Sequence, residues 1–170
     1  MNKRLPNDTT LLSREEFKIV VFRRSSGRCV FCGKPAVDPH HILERKLFGD
    51  GGYYLGNGAA VCEDHHWGCE TTRITLEQVR SAALVRSVVL PPGFRVDADY
   101  DKWGNRCWPS GLRSWGPLEQ DTGARKALAA GGHLGLMMPS NYVEEDFVLR
   151  ADSEQSADGP RRPKYSRSES

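Results

Sequence analysis

No long apolar run occurs in this sequence. The longest, AALVRSVVL at residues 82–90, is short and interrupted by Arg86, so no membrane span is expected. The opening residues, MNKRLPNDTT, contain no apolar h-region, so no secretory signal is expected there. Cysteines number five. An odd count without an export signal argues against a disulfide framework and for metal ligation in a reducing, cytoplasmic setting. Charge of one sign is also scarce: the net value is +2, which identifies no partner. Only its distribution hints at a basic face. Residues 1–50 carry ten Lys+Arg against six Asp+Glu, and residues 51–100 carry four against six. No internal repeat is visible.

What is present suits one small globular domain. A chain of 170 residues with 38% apolar and 27% charged content buries only a modest core, the situation in which a metal staple is useful. A helix is expected from Ser13, the N-cap of a capping box with Glu16; Phe17, Val20 and Val21 form its apolar face and Gly27 ends it. Arg23, Arg24 and Arg28 read as a solvated charge run, with phosphate contact as the alternative. Residues 29–43 read as a knuckle and a strand, 49–58 as a glycine-rich loop, and AAVC as a short strand before a helix starting near Cys62 or Glu63. A further helix is capped by Thr75 with Gln78. It places Leu76, Val79, Ala83 and Leu84 on one side and ends before the prolines of VVLPPGF. Residues 91–150 are expected to be an irregular ordered extension with one short helix within 122–136. The polar stretch 151–170 is expected to be a disordered tail, and residues 1–12 a flexible lead.

Cys29-Val-Phe-Cys32 is a C-x2-C pair followed by Gly33, and Cys62-Glu-Asp-His65 repeats the spacing as C-x2-H. Together they make a Cys3His set suited to a closed, structural zinc site. Cys69, four residues after His65, is the alternative fourth ligand. Cys107 has no partner spacing and is expected as a buried apolar residue. With four protein ligands, this zinc keeps no position open for chemistry.

Three histidines remain in the same region. His40 and His41 stand side by side, Asn57 follows after fifteen residues, His66 after eight more and Glu70 after three. With the two cysteine pairs in this order, residues 28–71 resemble the HNH endonuclease family. NGAAVCEDHH looks like its asparagine-to-histidine block. The resemblance implies a small ββα-metal core within an α+β fold, with flanking helices, at residues 13–90. Two departures are His40, where many members have aspartate, and Glu70, where the family's toxins have histidine.

By this resemblance His40 and His66 hold a catalytic divalent ion such as Mg2+, Mn2+ or Ni2+, and His41 is the general base. On a strand, neighbours point to opposite faces, so the pair serves two tasks. His66 follows His65 by about 100° around its helix, so one helix can serve two metals. Glu70, one turn beyond His66, either reaches the same ion or faces solvent. Asn57 fixes the loop or holds the His41 imidazole. Arg45, Lys46 and Arg73 flank the site and are the expected phosphate contacts; His133 is expected to be structural or at the surface. The expected activity is hydrolysis of phosphodiesters in nucleic acid, DNA ahead of RNA. The alternatives are a zinc-knuckle nucleic-acid-binding module whose centre has decayed, or an accessory to RNA ligation or repair. The latter is suggested by GDGGYYLGNGA and YDKWGN.

Overall fold

A computed structural model describes residues 4–144 as a mixed α+β fold. The expected tail at 151–170 lies outside the described residues. Ser13 starts the first helix, α1 (Arg14–Arg24): its hydroxyl accepts the Glu16 N–H at 3.2 Å, and the Glu16 carboxylate accepts the Ser13 N–H at 3.0 Å. The capping box read in the sequence therefore forms. Phe17, Val20 and Val21 are buried against Leu55 and Ala60. The chain leaves the helix through Ser26 and Gly27, both with positive φ. Arg24 lies partly buried, donating to the carbonyls of Leu55 (3.1 Å) and Gly58 and standing 3.7 Å from Asp8. It pins α1 to the strand beneath.

That strand belongs to a two-stranded antiparallel sheet, β1 (Asp38–His41) with β2 (Gly58–Val61). His40 lies opposite Ala59 and His41 opposite Gly58. One residue, Cys62, separates β2 from α2 (Glu63–Glu70). The order is strand, strand, helix, with α1 packed on the pair. It packs tightly on Gly58, where an added Cβ would stand 2.5 Å from Val21 Cγ2 and 2.7 Å from Phe17 Cζ. Gly58→Ala is therefore expected to destabilise the fold by about 1–3 kcal/mol through overpacking. An unfolding midpoint equal to that of the unchanged protein would show that α1 can give way there.

Thr75 caps α3 (Leu76–Ala82) in a second capping box with Gln78. Leu76, Val79 and Ala83 are buried as the spacing predicts, but Leu84 is 80% exposed. The reason is local: the helix has ended, and Leu84 takes φ +57°, which turns it off the apolar face.

The region after residue 91 is more regular than its sequence suggests. β3 (Asp99–Tyr100), β4 (Arg106–Cys107), β5 (Arg113–Ser114) and β6 (Met137–Met138) form a second sheet in that order, with β5 and β6 parallel. Strands of two residues are too short to display alternation, so the pattern could not be read beforehand. The helix expected within 122–136 is α4 (Thr122–Gly131), capped by Asp121 and stopped at Gly132 with φ +79°. Ala124, Ala127 and Leu128 pack with Trp103 and Trp115 into a separate small core. Among the described residues no helix is long and apolar enough to cross a membrane.

Candidate metal centres and functional site

The two C-x2-C/H pairs meet. Cys29 follows α1, and its knuckle is closed by Gly33 N–H to the Cys29 carbonyl and Cys29 N–H to the Lys34 carbonyl, at 2.9 and 2.7 Å. Gly33 takes φ +71° in this turn, a conformation suited to glycine. Cys62 is the N-cap residue of α2, and His65 is one turn in. His65 Nδ1 stands 3.5 Å from Cys29 Sγ and 3.1 Å from Cys62 Sγ, while Cys32 and Cys62 Sγ are 3.7 Å apart. Ligand atoms around a tetrahedral zinc stand about 3.5–3.8 Å apart at ordinary bond lengths. The separations fit, with a small contraction at Cys62. Burial opposes ionisation of Cys29, but backbone N–H groups of Cys32, Cys62 and Phe31 hold its pKa below the ordinary thiol value. The Phe31 ring stacks on His65 at 4.9 Å and fixes its plane. These four side chains form a Cys3His group that can hold a metal ion such as zinc. Cys69 is outside this group: it is buried in the main core, where desolvation pushes its thiol pKa up to about 12. Cys107 is half-buried, and desolvation likewise raises its thiol pKa to about 12.

A second cluster lies where β1 faces α2. His40 is 1% exposed; its ring meets that of His66 edge to face, with centroids 5.3 Å apart. Asp38, two residues before His40 and so on the same strand face, places Oδ2 3.4 Å from His66 Nε2. Asp38, His40 and His66 each offer a ligand atom within 4.8 Å of the others. Glu70 Oε1 stands 3.5 Å from His40 Nδ1 and 3.4 Å from His66 Nε2. His40 Nδ1 is buried without a hydrogen-bond partner, its contact with Glu70 being at the limit of bonding. Burial, and next the Lys102 ammonium, push the His40 pKa down to about 3, leaving its ring neutral. The hydrogen bond His66 gives Glu70 raises the His66 pKa. Burial opposes the charge on Glu70, yet both imidazoles and Lys102 hold its carboxyl well below the usual range.

The two imidazoles of the pair do face opposite ways. His41 turns toward α1, stacked on Phe17 at 4.7 Å and edge-on to Tyr53 at 5.2 Å. Desolvation, with Lys102 next, lowers its pKa to about 4, and its Nε2 has no hydrogen-bond partner. It lines a cavity of about 450 Å³ with Asp38, Arg14, Lys18, Arg45 and Tyr53.

Asn57 is buried and fully engaged: its Oδ1 accepts the Leu43 N–H at 2.8 Å, and its amide donates to the carbonyls of Leu43 (3.0 Å) and Gly52 (3.1 Å). Of the two roles considered, these bonds serve the loop. Arg45 donates to the Tyr53 hydroxyl at 3.2 Å beside His41. Lys46 is paired with Asp121 at 2.7 Å, and Arg73 donates to the Ala130 carbonyl at 2.8 Å. Both tie α4 to the core. His133 accepts from or donates to the Thr72 hydroxyl at 2.8 Å, a structural contact.

Sequence reasoning missed Asp38 and Lys102. The period of two along DPHH was a signal for Asp38. None existed for Lys102, which is 4% exposed and comes from the extension. Its ammonium donates to the His41 carbonyl at 3.2 Å and pairs with Glu44 and Glu70, both at 3.3 Å. Its neighbour Trp103 donates from the indole to the Glu70 carbonyl at 2.9 Å. Asp101 shapes this turn by accepting the N–H groups of Trp103 and Asn105 and the Arg113 guanidinium. Two adjacent side chains thus grip the end of β1 and the end of α2. Compared with protein-family models, curated proteins and solved structures, the chain matches none.

Proposed function

We propose that this protein is a metal-dependent endonuclease of the HNH type, cutting phosphodiester bonds in nucleic acid, with DNA as the first substrate to test. The observation that supports it most is the division of labour on β1. His40 faces a second imidazole and two carboxylates, while His41, outside that cluster, lines a cavity edged by Asp38 and three basic side chains. A zinc ion in the Cys3His group would be structural.

Residues of the second cluster suit a divalent ion: two imidazoles and a carboxylate converge, and one imidazole has a buried nitrogen without a partner. Such an ion, when bound, supplies charge neutralisation on the phosphoryl and leaving oxygens. His41 acts as the general base and takes a proton from the attacking water; its lowered pKa keeps the ring in the accepting form at neutral pH. Asn57 holds the loop on which the end of β1 depends. Arg14, Lys18 and Arg45 would hold the phosphate backbone without reading sequence. The carboxylates of Glu15 and Asp38 line the same cavity. Lys46 and Arg73, being engaged within the chain, are weaker candidates for that task.

The full-length, zinc-loaded protein is expected to cut plasmid or linear DNA, or RNA, with at least one of Mg2+, Mn2+ and Ni2+. Nucleic-acid binding without cutting under every ion would favour the decayed binding module.

A further inference from the structure

We propose that Asp38, and not Glu70, completes the protein's hold on the divalent ion, and that Glu70 is committed to Lys102. This deepens the nuclease reading and rests on it for the ion's purpose. Positions 38 and 40 lie on one face of β1, in register with Val61 and Ala59 of the strand that leads into α2. The sheet therefore presents Asp38 and His40 together toward His66. Their ligand atoms lie within 4.8 Å of one another, with Asp38 Oδ2 and His66 Nε2 at 3.4 Å. His40, 1% exposed, has a buried Nδ1 that makes no hydrogen bond; Glu70 Oε1 stands 3.5 Å from it, so the choice between the two carboxylates turns on what else each one holds.

Glu70 has another obligation. Lys102 is almost wholly buried, and a buried ammonium requires compensating charge. Its carboxylates are Glu44 and Glu70. Drawing Glu70 onto an ion would leave Lys102 with one. Asp38 carries no such debt: its side chain is 43% exposed and the His66 side chain 38%, so the open side of the set faces solvent. Two imidazoles and one carboxylate favour a transition ion over Mg2+, which prefers oxygen and retains its water.

The test is Mn2+ binding by the full-length, zinc-loaded protein, followed by electron paramagnetic resonance of free Mn2+, for wild type, Asp38→Asn and Glu70→Gln. Melting curves confirm that each variant is folded. Wild type is expected to bind Mn2+; Asp38→Asn is expected to weaken it by about tenfold or more, and Glu70→Gln by less than Asp38→Asn. An equal or larger loss in Glu70→Gln would overturn the assignment, as would a zinc-loaded wild type that takes up no Mn2+. If Glu70→Gln does not fold, Lys102→Met/Glu70→Gln removes both charges and gives the same comparison. Asp38-dependent binding without cutting would leave this inference standing and remove the nuclease reading. Cutting by a protein whose Mn2+ affinity ignores Asp38 would do the reverse.

Discussion

Cys62→Ser is expected to lose zinc and, with it, the folded core. Cys62 belongs to the Cys3His group that can hold zinc, and it is also the residue at which β2 becomes α2. Zinc in a small structural site supplies about 10–16 kcal/mol of binding free energy, while an ordinary domain is stable by about 5–15 kcal/mol. Losing the zinc would therefore be comparable to the whole margin. The core around it, with Ile42, Leu43, Ala59 and Val61, is made of short elements that the metal would bring together. Metal analysis by mass spectrometry and thermal melting by circular dichroism check this. The variant is expected to hold less than half the zinc of the wild type and to show no cooperative transition. Cys107→Ser, away from the group, is expected to keep its zinc. A Cys62→Ser protein with full zinc and an unchanged melt would remove the Cys3His centre.

The parts of the fold that could be read beforehand are those in which sequence spacing maps directly onto geometry. Ser13 with Glu16 and Thr75 with Gln78 form capping boxes, because such a box needs only four consecutive residues. The C-x2-C and C-x2-H pairs meet because each is a local turn and zinc chemistry supplies the reason to join them. Where contacts run across long stretches of chain, nothing local announces them. Lys102 reads as an ordinary surface lysine until Asp101 folds its turn and carries the ammonium to Glu44 and Glu70. Lys46 and Arg73 read as free cations for the converse reason, since Asp121 and Ala130 lie far along the chain. Asp38 is the intermediate case. Its strand period places it on the His40 face, but a single aspartate at that spacing does not by itself mark a ligand.

The role of His41 is best tested by His41→Phe rather than His41→Ala. The ring does two things: it lies flat on Phe17 at 4.7 Å and edge-on to Tyr53, and it offers a nitrogen lone pair. Alanine removes both, so a loss of activity would be confounded by a cavity against α1. Phenylalanine keeps an aromatic ring for the stack and removes the buried Nε2 that has no hydrogen-bond partner. The larger ring overpacks the site at a cost of about 1–3 kcal/mol, and removing the unpartnered nitrogen offsets part of that. The proton acceptor alone is lost, which typically costs about 10²–10⁴-fold in rate. The expected result is normal zinc content, a cooperative melt, Mn2+ affinity within threefold of wild type, and cleavage lowered by about 10²-fold or more. Binding of nucleic acid without cutting should persist, because Arg14, Lys18 and Arg45 remain around the cavity. A His41→Phe protein that cuts at the wild-type rate would exclude this imidazole as the base and leave its packing against α1 as its whole purpose.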